Sequence, residues 1–148
     1  MTIYTTFVHI HSGLRWLVLA FILIAIINAA VKLYRKSVTN QKDCIFNRLS
    51  MILMHLQLVF GLVLYFISPK VVFSATSMKD SLTRFFLVEH LALMIIAIVL
   101  ITIGYIKSDR EDDMMKKQKL LLIYYSIALI LILVAIPWPF RALGAGWF

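Results

Sequence analysis

Four apolar runs govern what this chain can fold into, at about Phe7–Leu33, Ile45–Ile67, Arg84–Ile106 and Leu120–Ile136. A bilayer's hydrocarbon core is about 30 Å thick and takes about 20 mostly apolar residues to cross as a helix. Lipid offers the backbone no hydrogen-bond partner, so runs of this length span as helices. Composition agrees: 62% of the 148 residues are hydrophobic, against about 45–50% in a soluble domain. The mean hydropathy is +0.93. The expected fold is all-α, an integral membrane four-helix bundle forming a single domain over residues 1–148. Short connections make consecutive helices antiparallel neighbours. No basic segment precedes the first run as it would in a secretion signal, so that run is expected to be retained.

The loops set an expected orientation. The first carries Lys32, Arg35, Lys36, Lys42 and Arg48, and the third Lys107, Arg110, Lys116, Lys117 and Lys119. The N-terminus has no basic residue before Arg15. The Lys/Arg bias places loops one and three in the cytoplasm, so both termini are expected on the outer side. In a bacterium that is the periplasmic face of the inner membrane, crossed in multiple passes. The net charge of +8 is thus a topology signal, and no nucleic-acid partner is expected. The single cysteine, Cys44, rules out an intrachain disulfide and reads as a small residue near a helix start.

All four histidines lie in or at apolar runs, where ionisable groups are costly and tend to have functional roles. His90 is six residues beyond Arg84, about 9 Å inside the outer boundary at about 1.5 Å per residue. His11 comes out about 6–8 Å inside the same boundary, and His55 near mid-membrane at about 18 Å. His11 and His90 are therefore nearly level.

His9 and His11 are two residues apart, about 200° around a helix, so only one of them faces the interior. His11 shares its face with Arg15, and His9 shares its face with Gly13; the sequence does not choose between them. Level histidines on different helices suit axial ligation of one haem b, with cations for its propionates. The candidates are His11 and His90 as iron ligands, with His55 or His9 as substitutes. Arg15 and Arg84 are candidate propionate partners, with Arg141 and Lys70 also on that outer side, and Gly13 is a recess for the ring. Histidines that merely bond across helices, a proton path and another metal are the competing readings. Glu89 reads as an ion-pair partner of Arg84 or Arg15, and Gln57 as a hydrogen-bonding partner of a neighbouring helix by default, with a quinone carbonyl or a haem propionate as alternatives. Trp138 and Trp147 read as interfacial anchors.

The segments His9-Ile-His-Ser-Gly-Leu-Arg-Trp16, Met54-His-Leu-Gln57, Phe86-Leu-Val-Glu-His90 and Ile136-Pro-Trp-Pro-Phe140 together carry a family resemblance. Over nearly its full length the chain resembles the small four-helix membrane proteins of Bacteroidota labelled cytochrome b-like. The resemblance implies haem and electron transfer. Helix four has no histidine, unlike the paired sets of larger di-haem cytochromes b, so one haem is expected. The implied function is a haem b electron carrier or subunit working between the quinone pool and a periplasmic-side partner. A quinone is a possible second ligand, and other membrane subunits are expected partners. The alternative is a non-redox accessory or structural subunit of a larger inner-membrane complex. A third reading, with little support beyond the Glu89-His90 dipeptide, is a haem-modifying enzyme.

Overall fold

The computed structural model describes residues 2–37, 41–141, 143, 146 and 147, without the side chains of residues 41–44. Cys44, Lys42 and Asp43 therefore have side chains outside the described residues. Four helices are long and apolar enough to cross a membrane: α1 (Ile3–Arg35), α2 (Gln41–Ile67), α3 (Ser81–Asp109) and α4 (Met114–Ala135). No strand occurs among the described residues. Each helix packs on its sequence neighbours, and α4 closes the square against α1; the α2–α3 seam is the loosest. Both ends of the chain meet at one end of the bundle, where the Arg15 guanidinium donates to the Trp147 carbonyl at 2.6 Å.

Local chemistry explains why the helices start earlier than their apolar runs. Thr2 caps α1, its hydroxyl accepting from Thr5 N–H. Asp80 caps α3 and Asp113 caps α4. A side-chain oxygen at this position satisfies an otherwise orphaned N–H of the first turn. Hydrogen bonds from the Thr83 hydroxyl and amide hold the Asp80 carboxyl below its ordinary range. Bonds from the amides of Lys116 and Met115 do the same for Asp113. The charged run from Asp109 to Lys119, which reads as loop, is thus mostly the first turns of α4, projecting beyond the apolar span. At the other end, Ile136 turns to an extended conformation (ψ 128°), as the residue before a proline must.

The core explains which of the small residues matter. Ala25 and Ala29 on α1, Ala97 on α3 and Ala128 on α4 are all buried around Ile22, Ile101 and Tyr125. Without a hydrophobic drive between helices in lipid, close backbone approach of this kind carries much of the association. Ala20 and Ala92 instead face outward, and Gly13 has open space where a side chain would be. Tyr125 is fully buried and its hydroxyl donates to the Asn47 carbonyl at 3.0 Å, tying α4 to α2. Large apolar residues such as Ile27, Val59, Ile96 and Ile130 are exposed, as lipid-facing surfaces require.

Gly104 marks a tight contact between α3 and α4. A Cβ there would lie 2.5 Å from the Cβ of Tyr124, a backbone-proximal atom that cannot swing aside. Gly104→Ala is expected to force α3 and α4 apart at a cost of about 1–3 kcal/mol. Thermal unfolding in detergent micelles should show a lowered midpoint; an unchanged midpoint would mean that this contact is not tight in the folded protein.

Candidate functional site

A cavity of about 390 Å³ opens between the helices at the end that carries both termini. Its deep walls are apolar, from Val18, Met54, Leu58, Met94, Ile98 and Ile132. Its outer part is polar and basic, with Arg15, Lys70, Gln57, Tyr4 and Tyr65. No Asp or Glu is among the described residues that line it. Such a space accepts an amphiphile whose apolar body goes inward and whose anionic groups stay outward.

His11 on α1 and His90 on α3 meet in this cavity, with ring centroids 6.5 Å apart and planes at 68°. The open choice between His9 and His11 is thereby decided by the helix period. His11 turns inward and is half-buried, whereas His9 is exposed at the cavity's margin. Gly13, on His9's face, does not line the cavity. Arg15, one turn beyond His11, does.

His90 is positioned by an irregularity that the sequence does not advertise. The five residues Phe85–Glu89 form a π-helical turn before α3 resumes as α-helix at His90. A π-turn changes the angular position of everything that follows, and such turns are frequent at functional sites. The hydroxyl of Tyr65 on α2 donates to the carbonyl of Leu87 within this turn at 3.1 Å. Nδ1 of His90 lies 2.7 Å from the Ala135 carbonyl at the end of α4. A carbonyl only accepts, so Nδ1 carries the hydrogen and, in the neutral ring, Nε2 keeps its lone pair.

His11 is held differently. Gln57 on α2 donates through Nε2 to the His11 backbone carbonyl at 2.9 Å. Gly61, one turn along α2, lets the ring settle against the helix, since a Cβ there would lie 3.2 Å from His11 Cε1. Three buried polar atoms around this contact have no hydrogen-bond partner among the described residues: His11 Nδ1, Gln57 Oε1 and Arg15 Nε. Burying an unsatisfied polar atom costs about 1–3 kcal/mol each.

The remaining candidates lie elsewhere. Arg84 pairs with Glu89 at 2.7 Å, both side chains about two-fifths exposed, and neither lines the cavity. That geometry gives the expected ion pair and leaves Arg84 away from the histidines. His55 is exposed on the α2–α3 side, its Nδ1 2.8 Å from the Met51 carbonyl and its Nε2 3.5 Å from the Thr102 hydroxyl. Lys70, one of the cations expected on the histidines' side, does line the cavity, past the Ser68-Pro69 end of α2. Burial there lowers the ammonium's pKa from the ordinary lysine value, and the group lies 5.0 Å from the Phe86 ring centre.

An aromatic cluster lies at the same end of the bundle, where the tail meets α1. Trp16, Trp138 and Trp147 have ring centroids 6.0–6.4 Å apart. Arg141 lies 4.9 Å from the Phe85 ring centre and donates to the Val134 carbonyl at 2.7 Å, capping the end of α4.

Among the described residues no three His, Cys, Asp or Glu side chains converge as a metal-binding group. The imidazoles that meet within the cavity are those of His11 and His90, with His9 at its margin and the thioethers of Met54 and Met94 in its deep wall. Compared with family models, curated proteins and solved structures, the chain matches none.

The burial pattern predicts graded histidine reactivity. Diethyl pyrocarbonate should modify His9 well before His11 and His90, read by peptide mass spectrometry of the detergent-solubilised protein. Equal rates at all three would contradict the inward placement of His11 and His90.

Proposed function

We propose that this protein binds one haem b between His11 and His90 and serves as a one-electron carrier, or the carrier subunit of a complex, in the membrane. The observation that carries the reading is the histidine pair itself. The two rings here are 6.5 Å apart. Two imidazoles on different helices with their ring centres this close could each offer a nitrogen to one metal ion held between them. His11 and His90 come from different helices and line one cavity whose deep walls are apolar, a pair of imidazoles that could together hold a haem iron.

Bound haem supplies a reversible one-electron couple, tuned by its ligands and by burial. The chain's own residues do the rest. The Ala135 carbonyl fixes the tautomer and orientation of His90, so that Nε2 is the ligating atom. Arg15 and Lys70 supply positive charge at the outer end for two carboxylates. Val18, Met54, Met94, Ile98 and Ile132 keep water from the deep wall. A dry, cation-flanked site favours electron transfer over reaction with solvent.

The Lys/Arg distribution supports an outward orientation for the cavity end, at the periplasmic face of a bacterial inner membrane. Electrons would then pass between the quinone pool and a partner on that side. His55 favours membership of a larger assembly, since an intramembrane histidine exposed on a lipid-facing seam normally has a protein partner.

The test is direct. Protein purified from haem-supplied cells should be red, with a Soret band and a sharp α band on dithionite reduction, and one haem per chain by pyridine haemochrome. His11→Ala and His90→Ala should each abolish that spectrum, while His9→Ala and His55→Ala keep it. A colourless wild-type protein, or a full spectrum in both of the first two variants, would overturn the reading.

A further inference from the structure

The two histidines are not equally provided for, and the difference identifies a role for Gln57. His90 has a backbone acceptor on Nδ1, the Ala135 carbonyl at 2.7 Å. His11 has none among the described residues: its Nδ1 is buried without a partner there. Beside it, Gln57 has one half of its amide engaged and the other idle. The NH₂ group donates to the His11 carbonyl at 2.9 Å, which fixes the amide's orientation, since the oxygen cannot face another acceptor. That leaves Oε1, a buried acceptor with no donor among the described residues. A buried nitrogen that can carry hydrogen and a buried oxygen that needs one thus lie at the same α1–α2 contact. Gly61, one turn from Gln57, leaves the His11 ring room to turn, with 3.7 Å from a built Cβ to Nδ1.

We propose that Gln57 is the positioning residue for His11, with Oε1 accepting the His11 Nδ1–H and so keeping the lone pair on Nε2, toward His90. The inference rests on the haem reading for its purpose, though not for its test. One side-chain amide then grips both ends of the same residue: its NH₂ holds the backbone of His11 and its oxygen sets the ring. Both imidazoles acquire the same arrangement, an acceptor on Nδ1 and a free Nε2. An acceptor on the far nitrogen orients a ligating imidazole and raises its basicity. The carbonyl of Ala135 comes with the backbone, whereas that of Gln57 can be changed by mutation.

The tautomer of His11 is measurable without haem. ¹⁵N-histidine spectra of the haem-free protein in micelles, assigned with His11→Gln, should show His11 protonated on Nδ1. Gln57→Glu retains an acceptor and should keep that tautomer; Gln57→Leu removes it and should move the hydrogen to Nε2 or mix the two forms. In haem titrations Gln57→Leu should weaken binding about 10–100-fold. Its ferric low-spin EPR signal should also shift opposite to that of Gln57→Glu, a response that a merely structural role would not give. His11 protonated on Nε2 in the wild type, or unchanged in Gln57→Leu, would overturn the proposal. Should Gln57→Leu fail to fold, the wild-type and Gln57→Glu tautomers decide it. A wild-type protein that takes up no haem would sink the haem reading alone, leaving the tautomer result to stand or fall separately.

Discussion

Lipid offers no hydrogen bonds, and everything distinctive in this structure follows from how the chain meets that condition. Most of its intramembrane polar groups are satisfied from within: Tyr125 on the Asn47 carbonyl, Tyr65 on the Leu87 carbonyl, His90 on the Ala135 carbonyl, Thr102 on the Ile98 carbonyl. Each places a donor on a main-chain oxygen that has a second lone pair to give. The departures are not scattered. His11 Nδ1, Arg15 Nε and Gln57 Oε1 are left unpaired among the described residues, and all three residues line one cavity. Unpaired buried polar groups gathered in one place call for an explanation, and the proposed site supplies one.

The rest of the fold serves that place. Small residues in the lower bundle bring the helices close, with Gly104 tight against Tyr124. Above this zipped region the helices part around Val18, Met54, Met94 and Ile98, which form the cavity's deep wall. The π-turn at Phe85–Glu89 lies just before His90, and the end of α4 stops at Ala135, where its last free carbonyls receive His90 and, nearby, Arg141. The returning tail places Trp147 on Trp16 and its carbonyl on Arg15. Rigid below and open above is the arrangement that holds a ligand without collapsing when it is absent.

Much of this was legible in the sequence, and the limits have physical causes. The four spans follow from length and hydropathy, and the equal depth of His11 and His90 follows from helical rise alone. The 200° between His9 and His11 was enough to say that one of them faces inward, but choosing required knowing how α1 is rotated against α2. The ion pair of Arg84 and Glu89 needed only their proximity on one segment. Two features were out of reach. Ala135 matters through its backbone oxygen, which leaves no trace in residue identity. The π-turn leaves none either, since Phe-Phe-Leu-Val-Glu is unremarkable as α-helix. His55, plausible by depth, falls on the outer face because α2 turns Met54 and Gln57 inward instead.

The central claim is that His11 and His90 together hold a single haem iron. Near-infrared magnetic circular dichroism with EPR on the ferric, haem-loaded protein reads the axial ligand pair itself. The account predicts a low-spin bis-imidazole signature that His90→Met converts to a histidine–methionine or high-spin one. A high-spin wild-type spectrum, or a bis-imidazole signature that survives His90→Met, would contradict it.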